Sequence, residues 1–258
     1  MKNIPLNQAL SVAVKAACAA GKVMRDNWLK PKRVKLDDVH DIKLELDVRC
    51  QKLIEKILRA AFPEIPLLGE EGDTGDVTAE YRWVVDPIDG TVNYFYGIPH
   101  AAVSIALQHN GKSVVGVIYG PFTNELWTTV RGEPTRLNGK IVRVSNRSEL
   151  EDAVIAMGFS KSRENLVKTL PHLNRLARRV KKIRIMGSAA LELVYVASGR
   201  LDAYIERTIN LWDVAAGQLL VENAGGEFYA LPAPQGKLRM CAGNGRLRKK
   251  LQIGSLLK

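Results

Sequence analysis

The sequence predicts a mixed α+β and α/β protein, and three observations carry that class. Two amphipathic helical stretches open the chain, and β-rich segments follow, joined at Asn110-Gly111 and Asn138-Gly139. Asn-Gly pairs favour two-residue hairpin turns. Beyond Val144, strand and helix patterns alternate at short spacing, which indicates an α/β layer. With 258 residues, 46% of them hydrophobic, the chain can build one large core or two modest ones. The expected division is an α+β half over residues 1-145 and an α/β half over 146-258, with a site completed at their junction.

Each element follows from its pattern. Leu6, Leu10, Val14, Ala17 and Gly21 recur at three- and four-residue steps and predict a helix from Leu6 to Trp28, ended by Pro31. Small residues at Ala13, Ala16, Ala17, Ala19 and Ala20 suit close approach by another helix. A charged connection through Lys35, Asp37, Asp38 and Asp41 leads to a second helix over Leu44 to Ala61. Its core face is Val48, Leu53, Ile54, Ile57 and Leu58. Leu67-Leu68 is a short strand running into Gly69-Glu70-Glu71-Gly72. Val84-Val85 is another, with Asp86 at its end and Pro87 removing the next ladder donor.

Strands are expected at Ala101 to His109, Ser113 to Tyr119 and Asn124 to Val130. The second half reads as strand Ala153 to Met157, helix Glu164 to Val180 and strand Ile183 to Met186. A helix capped by Ser188 then runs to Ala197. Strand Asp202 to Glu206, helix Val214 to Asn223 and strand Glu227 to Tyr229 complete the order.

Composition excludes several classes. The charged share of 25% is ordinary, and no apolar run is long enough to cross a bilayer. Lys15 and Lys22 interrupt the alanine-rich start, which therefore reads as an amphipathic helix rather than a secretory signal. Cys18, Cys50 and Cys241 form neither a disulfide framework nor a zinc pattern and fit a reducing cytoplasm. The net charge of +11 concentrates around Arg175, Arg178, Arg179 and Lys181, and again at Arg246 to Lys250. No aromatic residues interleave these runs, so solvated helix faces are preferred to nucleic-acid contacts.

The stretch Trp83 to Tyr94 concentrates chemistry: Asp86, Pro87, Ile88, Asp89, Gly90 and Thr91 follow a buried strand. Paired acids there are costly unless a cation or strong donors meet them. Two readings stand: a hard-metal site beside a phosphate cradle, or an acidic turn capping the next helix. Glu70 and Asp213 lie at the ends of other expected strands. Carboxylates without a histidine cluster suit magnesium rather than zinc, and amides from Gly90 onward suit a phosphate. Haloacid-dehalogenase-type phosphatases place one residue between their aspartates, whereas Pro87 and Ile88 both intervene here. Among lesser candidates, His100 is expected to pack or cap, and at least one of Tyr94, Phe95 and Tyr96 to enter the core. Glu192 is expected at the surface and Tyr195 in the core.

Gly69-Glu70-Glu71, Asp86-Pro87-Ile88-Asp89-Gly90-Thr91, Gly187-Ser188-Ala189-Ala190 and Trp212-Asp213-Val214-Ala215-Ala216-Gly217 stand in an order and at intervals that resemble the inositol monophosphatase family. The resemblance implies a layered αβαβα sandwich and a lithium-sensitive, cytoplasmic, homodimeric phosphatase with two or three Mg2+ ions per site. By position it makes Glu70, Asp86, Asp89, Asp213 and the Ile88 carbonyl metal ligands. Thr91, supported by Asp47 or Glu70, would orient and deprotonate the attacking water. Gly90 and Thr91 amides would hold the phosphate, while Asp89, Gly187, Ser188, Ala189, Glu206 and Asp213 would line the alcohol side.

The implied reaction is direct hydrolysis of a phosphorylated polyol or sugar, without a phosphoenzyme. Fructose 1,6-bisphosphatase, histidinol-phosphate phosphatase and 3′-phosphoadenosine-5′-phosphate phosphatase are alternatives within that chemistry. A catalytically idle, basic nucleic-acid-binding protein on the same fold is the alternative outside it. The presence of all four metal acids favours an enzyme.

Overall fold

The computed structural model describes residues 4–38, 41–159 and 163–251. Helix α1 (Leu6–Asp26) leads into a hairpin, β1 (Val34–Asp38) and β2 (Asp41–Leu44), and then α2 (Glu45–Ala61). Strands β3 (Leu67–Gly69) and β4 (Tyr81–Asp89) precede a short helix, α3 (Thr91–Phe95). The first half closes with β5 (Ala102–His109), β6 (Lys112–Gly120), β7 (Glu125–Val130), β8 (Arg136–Leu137) and β9 (Lys140–Ile141). Next come β10 (Val154–Met157), α4 (Arg163–Ala177), β11 (Lys182–Arg184) and α5 (Ala189–Ala197). Then follow β12 (Ala203–Ile209), α6 (Leu211–Asn223), β13 (Glu227–Pro232) and β14 (Leu238–Gly243).

Two mixed sheets result. The seven-stranded sheet keeps sequence order from β3 to β9, with β3 parallel to β4 and antiparallel pairing thereafter. The five-stranded sheet has the order β11-β10-β12-β14-β13, parallel across its first three strands and antiparallel beyond.

Alternation along the strands sorts side chains into layers. Trp83, Val85, Ile105 and Val117 face α1 and α2, while Val84, Ala106 and Ile118 face α5 and α6. Tyr204, Met240 and Ala242 close that middle layer from the second sheet, and Ile155, Ile205 and Cys241 pack with Leu176 of α4 on its far side. The five layers are therefore αβαβα. Burial on both faces explains why β4 to β6 read as nearly continuous apolar runs.

Several expectations change. Helix α1 stops at Asp26, where the Asn27 side-chain amide donates to the Val23 carbonyl at 2.7 Å, two residues short of Trp28. Its buried stripe is Ala9, Ala13, Ala16, Ala17, Ala20, Gly21 and Met24, because the small residues let the helix lie close to the sheet and to α2. Leu10 and Val14 sit only at the margin. On α2 the buried face is Cys50, Gln51, Ile54 and Leu58, with Asp47. The connection read as charged loop forms the β1–β2 hairpin; residues 39–40 lie outside the described residues.

Pro87 does not end its strand. Asp86 pairs with Ser104 and Asp89 with Ala102, so the extra residue forms a bulge, a place where a proline's missing donor is tolerated. Glu192 is 1% exposed, the reverse of expectation, whereas Tyr195 packs half-buried against the core. Tyr94 is buried in the core, as expected of at least one of the three aromatics, whereas Tyr96 is exposed. No described helix is long and apolar enough to cross a membrane.

Candidate active site

The bulge in β4 aims two aspartates at one cavity. Asp86, 2% exposed, accepts a hydrogen bond from the Ile88 amide at 3.0 Å. Asp89 faces the start of α5: it accepts from the Ala189 and Ala190 amides at 3.2 and 2.9 Å and from the Ser188 hydroxyl. Asp213 enters on the first turn of α6, where it also accepts from the Asn210 amide at 2.9 Å. One carboxylate oxygen of each of Asp86, Asp89 and Asp213 lies within 4.8 Å of the others.

The cavity, of about 460 Å3, is lined by all the metal and substrate candidates read from the sequence: Glu70, Asp86, Ile88, Asp89, Gly90, Thr91, Gly187, Ser188, Ala189, Glu206 and Asp213. Asp47 is not on its wall. It is 2% exposed behind Thr91, whose hydroxyl lies 3.0 Å from Asp47 Oδ1 and 2.9 Å from the Ile88 carbonyl. A hydroxyl carries one proton, so these two acceptors compete for it.

Electrostatically the cavity is one-sided. Glu192 joins Glu70, Asp86, Asp89, Glu206 and Asp213 on the wall, and among the described residues no lysine or arginine lines it. Burial and then the charges of Glu70, Asp89 and Asp213 hold the Asp86 carboxyl well above its usual range. Asp213 is raised by burial and by Asp89 and Glu70. Burial also lifts Asp89 to about 6, against the hydrogen bonds from Ser188, Ala190 and Ala189. Such a set of hard oxygen donors, repelling one another and free of histidine or cysteine, fits magnesium or a related hard cation.

Backbone geometry shapes the rest. Gly90 holds φ 92°, and a Cβ there would stand 2.9 Å from the His100 carbonyl and 3.1 Å from that of Gly187. Asn93 ties the same segments together: its amide donates to the Met186 and His100 carbonyls at 2.8 and 2.9 Å. Glu206 accepts from the Tyr204 hydroxyl and is raised to about 7, chiefly by burial. Gly158 leaves room for it, since a Cβ there would fall 2.0 Å from Glu206 Oε2. Glu192 accepts from the Met186 amide at 3.1 Å behind Gly187. Gly158 and Glu192 stand outside any local motif, so only the fold reveals their roles; Asn93 lies within the Trp83 to Tyr94 stretch, but its partners come from distant segments.

Residues 6–248 match the inositol monophosphatase family, and the chain belongs to that family. It is 42% identical over 235 residues to a protein named Nus factor SuhB from Xylella fastidiosa, covering 88% of this chain and 84% of that one. It is 41% identical over 221 residues to inositol-1-monophosphatase from Rhizobium meliloti, covering 84% and 83%. Among solved structures, extragenic suppressor protein suhB from Bartonella henselae superposes with a TM-score of 0.89 at 36% identity, over 96% of this chain and 98% of that one. An inositol monophosphatase from Anabaena gives 0.84 at 35% identity, over 97% and 96%.

Proposed function

We propose that this chain is a magnesium-dependent phosphate monoester hydrolase acting on inositol phosphate or a similar sugar or polyol monophosphate. The observation that carries the reading is the Asp86, Asp89 and Asp213 cluster in a cavity that the described residues wall with acids. With Glu70 and the Ile88 carbonyl, these residues would hold two or three ions. Ions bound there would supply positive charge for the phosphoryl oxygens and make a neighbouring water more acidic.

The chain's own groups do the rest. Thr91 would take a proton from the attacking water as it passes its own to Asp47, which burial raises to about 7, a value suited to a general base near neutrality. Amides of Gly90 and Thr91, at the start of α3, have no intrahelical acceptor and would hold phosphate oxygens. Gly187, Ser188, Ala189 and Glu206 would meet the alcohol, with Asp89 and Asp213 at its edge. Direct attack by water leaves no phosphoenzyme. Lithium sensitivity, a homodimer and a cytoplasmic location belong to the same reading.

The test is a phosphate-ester panel: inositol 1-phosphate, fructose 1,6-bisphosphate, histidinol phosphate and 3′-phosphoadenosine-5′-phosphate, each with and without magnesium. Inositol 1-phosphate is expected to turn over fastest and only with the ion. Metal-independent hydrolysis, or a phosphorylated protein trapped by acid quench, would overturn the reading.

A second, compatible reading comes from the relatives named Nus factor SuhB together with the net charge of +11. We infer for it a nucleic-acid-linked assembly role. Its test is a salt titration of RNA binding: phosphate-backbone contacts give a steep slope, and a flat one rejects them.

A further inference from the structure

A second cavity, of about 300 Å3, opens where the end of α1 meets the start of α2, on the far side of the residues that support Thr91. Its charge is opposite to that of the acidic cavity. Among the described residues, Lys30, Lys32, Arg33 and Arg49 line it, against the single carboxylate of Glu45. Lys32 is held in place: its ammonium donates to the Trp28 carbonyl at 3.1 Å and stands 5.2 and 5.4 Å from the Trp28 and Tyr94 rings. Arg33 and Arg49 are exposed, and no ion pair engages either guanidinium among the described residues.

Four cations around one acid repel one another, and a concave wall concentrates their field on whatever enters. Guanidinium forks match phosphate oxygens in pairs, while ammonium groups act as point charges beside them. The volume lies at the small end of ligand cavities, which suits a compact anion rather than a polymer strand.

We propose that this cavity binds a small polyphosphate anion, with Arg33 and Arg49 as its forks and Lys30 and Lys32 as its point charges. The occupant would rest against Leu44 and Tyr94. Leu44 donates its amide to Asp47 at 3.2 Å, and Tyr94 shares α3 with Thr91. The site therefore backs directly onto the Asp47–Thr91 pair. Binding stands independently of the hydrolase reading; only an effect of the anion on turnover would rest on it.

The experiment is calorimetric titration of the full chain with inorganic pyrophosphate in EDTA, where the uncompensated acids of the active-site cavity repel anions. Saturable one-to-one binding is expected. Arg33→Ala with Arg49→Ala should weaken it about tenfold or more, the loss of two charge-assisted contacts. Arg178→Ala with Arg179→Ala, which removes equal charge from an exposed segment after α4, should change it less than about twofold. Asp86→Asn should leave it unchanged. Absence of saturable binding, equal weakening in both double variants, or tighter binding by Asp86→Asn would each overturn the site. So would an oligoribonucleotide bound through Arg33 and Arg49 while pyrophosphate is not. Unchanged thermal melting of the variants confirms that charge, not folding, is being read.

Discussion

Asp47 and Thr91 are 44 residues apart in sequence, and the Thr91 hydroxyl lies 3.0 Å from Asp47 Oδ1. The pairing joins the first turn of α2 to the first turn of α3. If Asp47 takes the proton relayed by Thr91, Asp47→Asn should keep the fold and lower kcat about 100-fold or more, with KM little changed. Burial, with a smaller contribution from the Glu71 charge, raises Asp47 to about 7 against the hydrogen bond from Thr91, and any cation in the cavity lowers that value. The acidic limb of the wild-type pH profile should therefore lie below about 7 and vanish in the variant. A kcat within about threefold of wild type would remove Asp47 from the proton path.

Asp86→Asn tests the ion site by two independent readouts. Asp86 is raised by burial and by three neighbouring acids, so neutralising it relieves repulsion in the metal-free chain. The variant should melt at or above the wild-type temperature in EDTA. Magnesium at a hundredfold excess over its dissociation constant should stabilise the wild type by about 2.7 kcal/mol and the variant far less. Magnesium-dependent activity should disappear. Full activity in Asp86→Asn would sink the metal assignment.

What the sequence disclosed depended on whether a signal was local. The acids at Asp86 and Asp89, the cap at Ser188, and the Asn110-Gly111 and Asn138-Gly139 turns act within a few residues, and each is where the pattern places it. Helix α6 instead begins at Leu211, three residues before the expected Val214, with Asn210 as its cap. On α1 the small residues Ala13, Ala16, Ala17 and Ala20 lie on the inward face, as expected for close approach, whereas Leu10 and Val14 fall at its margin, because alanine weighs little in a hydrophobic pattern yet permits close packing. Strand β14 was missed because Lys237, Arg239 and their neighbours look like a polar linker until β12 and β13 supply partners on both edges. Glu192 was placed at the surface because burying a carboxylate requires a donor from elsewhere, and the Met186 amide is not visible from the helix pattern.

Glu192 should make stability depend on pH. Burial, with help from Glu206, raises its carboxyl to about 9, far above the ordinary 4.5. The folded state therefore holds a proton that the unfolded chain releases near 4.5. Stability from this group is complete below about 4.5 and declines as pH rises toward 9, by up to about 1.4 kcal/mol per pH unit. Glu192→Gln retains an acceptor for the Met186 amide and removes the titration. Urea unfolding in EDTA should show the variant equal to wild type near pH 4.5 and more stable at pH 8. A difference that does not change with pH would mean that Glu192 is ionised in the fold.

Gly158 sets the position of Glu206 and, through it, the alcohol side of the cavity. Its amide donates to the Ile205 carbonyl at 2.9 Å, so the backbone there is tied to β12 and cannot easily withdraw. A Cβ at Gly158 would meet Glu206 at 2.0 Å from Oε2 and 2.8 Å from Oε1, distances at which the carboxylate must move. Displacement would also break the bond from the Tyr204 hydroxyl, because the two side chains share one short contact. Gly158→Ala should therefore raise KM for a polyol phosphate about tenfold, with a smaller change in kcat, since the groups assigned to the phosphate and the attacking water are elsewhere on the wall. Glu206→Gln should show the same split while leaving the main chain undisturbed. If Gly158→Ala lowers kcat and leaves KM alone, Glu206 acts on the reacting phosphate rather than on the alcohol.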